Sequence, residues 1–279
     1  MRLAITGANG FISSHVTRLA IRSSLDVVPF RQSFTSQAHL SLPSNLNWVT
    51  SQISSDQLIG CDMFIHLAAH SVAYPFDNIY NCMKVNCLDV LSLFETARQA
   101  GVRRFLIAGS CFEYGLSGLD YDFIPTSAAL RPTNNYAASK ASASIALYQW
   151  ATEHRICLEI IRLFHVFGEG ESNSRFWPSL RNAALSNKDF KMSAGMQIRD
   201  FQPVQSVAQL FINRSLQPSF SPFPLIFNAS SGSPQTLLSL ASYWWSYWNS
   251  NSQLLPASVP YRDNEVMRYA PGNNLLLLP

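Results

Sequence analysis

Three side chains in this sequence suit proton transfer between a hydroxyl and a carbonyl oxygen. Tyr136 and Lys140 lie four residues apart in Tyr136-Ala-Ala-Ser-Lys140, a spacing that puts both on one face of a helix. Lysine is scarce in this chain, at Lys84, Lys140, Lys188 and Lys191 alone. An ammonium about 6 Å from a phenol, at an effective dielectric of about 20, interacts by roughly 2.8 kcal/mol. That predicts a tyrosine pKa of about 10 drawn down by about two units, towards the range useful for acid–base work at neutral pH. Ser110 follows an apolar run in Ala108-Gly109-Ser110-Cys111-Phe112-Glu113-Tyr114-Gly115. A hydroxyl at such a strand end suits binding a carbonyl oxygen together with the tyrosine.

A second group of residues suits a phosphate. Thr6-Gly7-Ala8-Asn9-Gly10-Phe11-Ile12-Ser13 carries the spacing Gly-x-x-Gly-x-x-small between an apolar run and a helical stretch. Gly7 permits the tight turn, and Gly10 lets backbone approach a pyrophosphate over a helix N-terminus. Dinucleotide binding follows. The second strand should choose the cofactor, because an NAD site carries an acidic residue near its end to hold the ribose. Here Asp26 stands at the beginning, and the strand ends Val28-Pro29-Phe30-Arg31-Gln32. Arg31 is placed to pair with a 2′-phosphate, so the expected cofactor is NADP(H), with NAD(H) the alternative.

The elements needed to position these groups are legible in outline. Strands are expected at Leu3–Thr6, Asp26–Phe30, Asn47–Thr50, Met63–Leu67, Arg103–Ala108 and Cys157–Leu163. Helices are expected at Phe11–Ile21, Asp77–Ala100, Tyr136–Glu153, Arg175–Ser186 and Val204–Ser215. Apolar strands alternating with helices predict an α/β fold, a doubly wound parallel sheet of the Rossmann type with a smaller C-terminal α/β substrate lobe. The expected division is a dinucleotide-binding domain over 1–167, with 203–228 returning to it, and a substrate lobe over most of 168–279. Tyr243-Trp-Trp-Ser-Tyr-Trp248 is expected in the core of that lobe.

Composition excludes several classes. The chain has 279 residues, 47% hydrophobic and 13% charged, with a net charge of +3 and no basic block. That disfavours a nucleic-acid partner. No apolar run reaches the 18 or so residues that would span a membrane, and a cleavable signal is not expected. The five cysteines (Cys61, Cys82, Cys87, Cys111, Cys157) form no CxxC pair, so reduced thiols in a cytoplasmic protein are expected. His66 and His70 are four apart but lie at a strand and not on a helix face; no metal site is expected.

Together these motifs resemble the extended short-chain dehydrogenase/reductase family of sugar-nucleotide epimerases, dehydratases and reductases. The resemblance takes in the glycine turn, Asp62–Ala69, Val85-Asn86, Ser110 with Tyr114-Gly115, and Tyr136 with Lys140. It continues through Arg162–Gly168, Arg199-Asp200-Phe201 and Arg262-Asp263. It implies that Gly7, Asn9, Gly10, Phe11, Ile12, Arg31, Leu67, Ala68, Ala69, Tyr136, Lys140 and His165 hold the cofactor. It assigns the nucleotide-sugar substrate to Ser110, Cys111, Phe112, Glu113, Asn173, Arg199 and Arg262, with the two arginines holding its diphosphate and nucleotide. Family dehydratases have an acidic pair beside the active-site hydroxyl, where this chain has Cys111-Phe112. Segments Gln197–Phe201 and Arg262–Met267 resemble the 4-keto-6-deoxy sugar-nucleotide reductases of the CDP-abequose synthase type. The resemblance thus implies NADPH-dependent C4-keto reduction in deoxysugar or O-antigen synthesis, with an NAD-dependent 4-epimerase and a non-catalytic NADP-sensing protein as alternatives. It further implies a homodimer built on the helices Asp77–Ala100 and Tyr136–Glu153. Two positions depart from the family: His165 replaces asparagine, and Gln205-Ser206 replaces an acidic pair, removing the expected carboxylate partner of Arg199.

Overall fold

The computed structural model describes residues 1–32, 39–50, 53–217, 221–262, 265–272 and 275–276. Asp263, named above, and residues 277–279 lie outside the described residues.

The first part of the chain alternates strands and helices: β1 (Arg2–Thr6), α1 (Phe11–Arg22), β2 (Asp26–Arg31), β3 (Val49–Thr50), α2 (Ser55–Leu58) and β4 (Met63–His66). Then come α3 (Ile79–Met83), a π turn (Lys84–Leu88), α4 (Asp89–Gln99), β5 (Arg104–Ser110), α5 (Asn135–His154), β6 (Cys157–Leu163) and β7 (His165–Phe167). The remainder comprises α6 (Phe176–Leu185), β8 (Phe190–Lys191), β9 (Ile198–Arg199), β10 (Phe201–Pro203), α7 (Val204–Leu216) and β11 (Leu225–Ser230). It ends with β12 (Gln235–Thr236), α8 (Leu237–Tyr247), β13 (Leu254–Leu255), β14 (Arg268–Tyr269) and β15 (Leu275–Leu276).

Eight strands form one parallel sheet in the order β15-β11-β6-β5-β4-β1-β2-β3. Side chains alternate across each strand. Leu3, Ile5, Met63 and Ile65 therefore pack on one face with Val16 of α1 and Phe211 of α7. Ala4, Phe64, Phe105 and Ile107 pack on the other with Phe94 of α4 and Trp150 of α5. The strand order reverses between β1 and β4, which makes their carboxyl ends the ligand crevice of a doubly wound sheet.

Two expectations change. The stretch expected as one helix over Asp77–Ala100 is broken by the π turn, which turns Asn86 inward. There Asn86 accepts from the His70 amide at 2.7 Å and donates to the His70 carbonyl at 3.0 Å and Ser139 Oγ at 2.9 Å. The aromatic run of α8 is only partly core. Trp245 is buried beside Leu180 and Met192, whereas Tyr243 and Tyr247 are 62% and 63% exposed and stack on each other.

Candidate functional site

The glycine turn fits a dinucleotide. Gly7 has φ +62°, and a Cβ there would stand 2.8 Å from Ala68 Cα, so the turn lies directly against the end of β4. Gly10 caps α1 without a side-chain hydrogen bond, leaving first-turn amides for a phosphate. Ser13 Oγ donates to the Gly7 carbonyl and ties the helix to the turn. Phe11, Ile12, Leu67 and Ala68 are half-buried around this crevice, and Ala69 is exposed. The Asn9 carbonyl accepts from the His39 amide. Arg31 ends β2 with its guanidinium 4.7 Å from the Trp48 ring centroid, while Asp26 is paired with Arg2 at the far end of the strand.

The catalytic candidates come together. Ser110 ends β5, Tyr136 and Lys140 lie on α5, and all three are buried. The Ala-rich sequence of α5 lets it sit tightly on the sheet, with Ala137, Ala141 and Ser144 buried on it. The Ser110 side chain lies close enough to the Tyr136 phenol to favour its ionisation. Lys140 Nζ donates to the Ala108 carbonyl at 2.7 Å. The Phe76 ring lies parallel to that of Tyr136 at 6.4 Å, carried by a loop braced through the 2.7 Å His70–Asp77 pair.

The expected downward pull of Lys140 on Tyr136 is not what the geometry produces. Burial pushes the Tyr136 phenol up, against smaller lowering effects from the Ser110 side chain and the Arg175 charge. Burial also lowers Lys140. Desolvation outweighs attraction because the phenol is enclosed and the ammonium is turned to a backbone carbonyl. Tyr136 is therefore held as a neutral phenol.

Glu113 sits behind the site and not at its surface. It is wholly buried, accepting from the Ser110 amide at 2.7 Å, Ser144 Oγ at 2.8 Å and Arg162 Nε at 2.8 Å. Arg162 also donates to the Tyr114 hydroxyl, which in turn donates to Asn228. Cys111 is buried, its thiol pushed up to about 12 by burial. Phe112 is half-buried, edge-on to His165 at 6.0 Å and Tyr269 at 6.2 Å. His165 has a buried Nδ1 with no hydrogen-bond partner and is held neutral by burial and by the charges of Arg199 and Arg175.

The carboxylate partner missing from positions 205–206 is supplied from elsewhere. Arg199 Nη2 donates to Glu265 Oε1 at 2.5 Å and to the Val266 carbonyl at 2.6 Å, and Nη1 donates to the Ile198 carbonyl at 2.8 Å. Its fork is committed to protein, so a phosphate there would displace Glu265. Arg262 is exposed, as is Asn173, whose carbonyl accepts from Ser179. Arg175, at the start of α6, escaped the sequence reading although its charge reaches both Tyr136 and His165. Its position ten residues past His165, just before the Phe176–Leu185 helix, was the available signal. Among the described residues no cluster of three metal-ligating side chains occurs, and no helix is long and apolar enough to cross a membrane.

The profile of the family described as "NAD dependent epimerase/dehydratase" matches residues 3–228. CDP-abequose synthase of Salmonella typhimurium is 25% identical over 284 residues, covering 97% of this chain and 89% of that protein. A trifunctional UDP-glucose 4,6-dehydratase/3,5-epimerase/UDP-4-keto-L-rhamnose-reductase of Arabidopsis thaliana is 28% identical over 227 residues. That match covers 75% of this chain and 34% of the plant protein. The dTDP-D-glucose 4,6-dehydratase of Mus musculus is 25% identical, with 76% and 63% covered. The chain thus spans between a third and two thirds of these two relatives. In structure, the UDP-glucose 4-epimerase of Thermotoga maritima superposes with a TM-score of 0.84 at 20% identity, covering 98% of this chain and 90% of that one.

Proposed function

This chain belongs to the NAD-dependent epimerase/dehydratase family, and from that premise we propose that it reduces the C4 keto group of a nucleotide-linked 4-keto-6-deoxyhexose with NADPH. The observation that carries this reading is buried Tyr136 beside Ser110, while Glu113, the first carboxylate after Ser110, is locked on Arg162. Elimination needs a carboxylate acid or base at the sugar. Reduction needs a proton donor at O4, and that is what Tyr136 offers. Ser110 orients the carbonyl oxygen, and Tyr136 gives its phenolic proton to O4 as the alkoxide develops, leaving an alcohol at C4. When bound, the reduced nicotinamide supplies the hydride to C4. Lys140 then stabilises the phenolate until solvent returns its proton.

NADPH is favoured by Arg31, whose stacking on Trp48 fixes a planar cation at the end of β2. The near full-length similarity to CDP-abequose synthase supports the reductase side of the family. Exposed Ile79, Tyr80, Leu88, Ile145 and Tyr148 on α3 to α5 support a homodimer through these helices, which sedimentation would read directly. The five free thiols suit the cytoplasm.

The test is fluorescence titration with NADPH and NADH, then absorbance of the reduced nicotinamide on adding CDP- or dTDP-4-keto-6-deoxyglucose. The expected result is oxidation of NADPH by one of them, abolished in Tyr136→Phe. Preference for NADH without oxidation by either would sink the reductase reading. Tightly retained NAD with no net reduction would favour a 4-epimerase.

A further inference from the structure

The segment joining β7 to α6 touches the cofactor turn at one end and the substrate side at the other. His15 of α1 donates from Nε2 to the Glu169 carbonyl at 2.8 Å. His39 donates from Nδ1 to the Gly170 carbonyl at 2.7 Å, while its amide holds Asn9 of the glycine turn. Gly170 has φ +84°, and a Cβ there would meet the His39 carbonyl at 2.9 Å. The next residue, Glu171, is thereby fixed. Its side chain is only 8% exposed, and Oε2 is buried with no hydrogen-bond partner. Glu171 Oε1 lies 3.4 Å from Arg175 Nε, an arginine 43% exposed.

That single contact is informative. A guanidinium that pairs through both Nη groups is consumed, as Arg199 is by Glu265 and two carbonyls. A guanidinium gripped at Nε keeps its fork open for a second anion. The charge of Arg175 is felt at Tyr136 and at His165, so the open fork contributes to the electrostatics of the same site.

We propose that Glu171 is a positioning residue, holding Arg175 by Nε so that its two Nη groups receive a phosphate oxygen of the bound nucleotide sugar. The inference rests on the nucleotide-sugar reading above. Glu171 is poorly placed for stability, buried with one oxygen unpartnered, and burial pushes its carboxyl up to about 7. Such a group is ionised and holding Arg175 at pH 8, and protonated with its grip lost at pH 6. The other groups around it are Glu169 on its own segment, His15 from α1, His39 from the segment after β2, and Arg181 of α6. Arg181, Trp177 and Glu171 line one cleft of about 340 Å³. Burial holds His15 below its ordinary range.

The experiment is calorimetric titration of the NADPH-loaded protein with CDP-glucose and dTDP-glucose at pH 6, 7 and 8. Wild type is compared with Glu171→Gln, Arg175→Gln and His39→Gln. The expected result is wild-type binding about tenfold tighter at pH 8 than at pH 6, the scale of one charge-assisted hydrogen bond. Glu171→Gln and Arg175→Gln bind about tenfold more weakly at pH 8 and show no pH dependence. His39→Gln keeps the dependence, and NADPH affinity is the same in all four. A folded Glu171→Gln that binds as wild type does at pH 8, or that keeps the pH dependence, overturns the proposal. Arg175→Gln changes an exposed side chain and tests the same fork from the other partner of the pair. Failure of the wild type to bind either nucleotide sugar would sink the functional reading and this inference together. Binding that ignores Glu171 would sink this inference alone.

Discussion

Removing the charge of Glu113 should unfold the protein's centre before it alters the chemistry. Glu113 and Arg162 are both almost wholly inaccessible, and the carboxylate accepts three hydrogen bonds from Ser110, Ser144 and Arg162. Glu113→Gln keeps the volume and one acceptor but leaves the Arg162 guanidinium uncompensated in the interior. Breaking one side of a buried pair costs roughly 3–5 kcal/mol. With an unfolding entropy of about 2.1 cal/mol/K per residue, a chain of this length should lose on the order of 5–8 °C in Tm. Differential scanning calorimetry at pH 7.5 measures it. The double variant Glu113→Gln/Arg162→Met removes the stranded charge and should recover much of the loss, because a buried pair is worth little over apolar replacement. If Glu113 instead acted on substrate, Glu113→Gln would keep the wild-type Tm while abolishing turnover. A Tm within 1 °C of wild type would refute the reasoning.

Two further outcomes follow from the same geometry. Gly7→Ala forces a side chain into a backbone with φ +62° and within 2.8 Å of Ala68 Cα; it should cost about 1–2 kcal/mol of stability and at least tenfold in NADPH affinity, read by fluorescence titration. The Glu171 carboxyl lies near 7 in the folded protein against an ordinary 4.5, so the folded state binds the extra proton between those values and stability falls as pH rises through them. Ionisation of Glu171 therefore costs on the order of 3 kcal/mol above pH 7. Glu171→Gln should be more stable than wild type in urea at pH 8 and equal to it at pH 4.5. A variant less stable at pH 8 would contradict the burial argument.

Much of the sheet could be read because each strand announces itself locally. Cys157–Leu163 is observed as expected, and Met63–His66 falls one residue short of its expectation. The glycine turn, Tyr136, Lys140 and Ser110 were legible for the same reason: their spacing is short and their chemistry is carried by residue type. The π turn at Lys84–Leu88 was not. Its cause is tertiary, since Asn86 must reach the His70 backbone and Ser139 at once, and no local propensity encodes that demand. The surface stack of Tyr243 on Tyr247 escaped for a related reason. A helix aromatic on all sides gives no periodicity from which to choose its buried face.

The electrostatics of the site were the least legible, and the three charged partnerships explain why. Glu113 holds Arg162 across 49 residues, Glu265 holds Arg199 across 66, and the Arg175 charge reaches Tyr136 from another element. Opposite charges have no spacing rule once they are brought together by folding. Burial also changes the sign of the outcome: Lys140 was expected to draw the Tyr136 phenol down, yet enclosure beneath Phe76 and against the sheet leaves it raised. That reversal bears on the reaction. A neutral phenol can give a proton to a keto oxygen without first being charged, whereas oxidising an alcohol requires the phenolate that burial disfavours. The same enclosure that hid the pKa from the sequence therefore supports the proposed reduction.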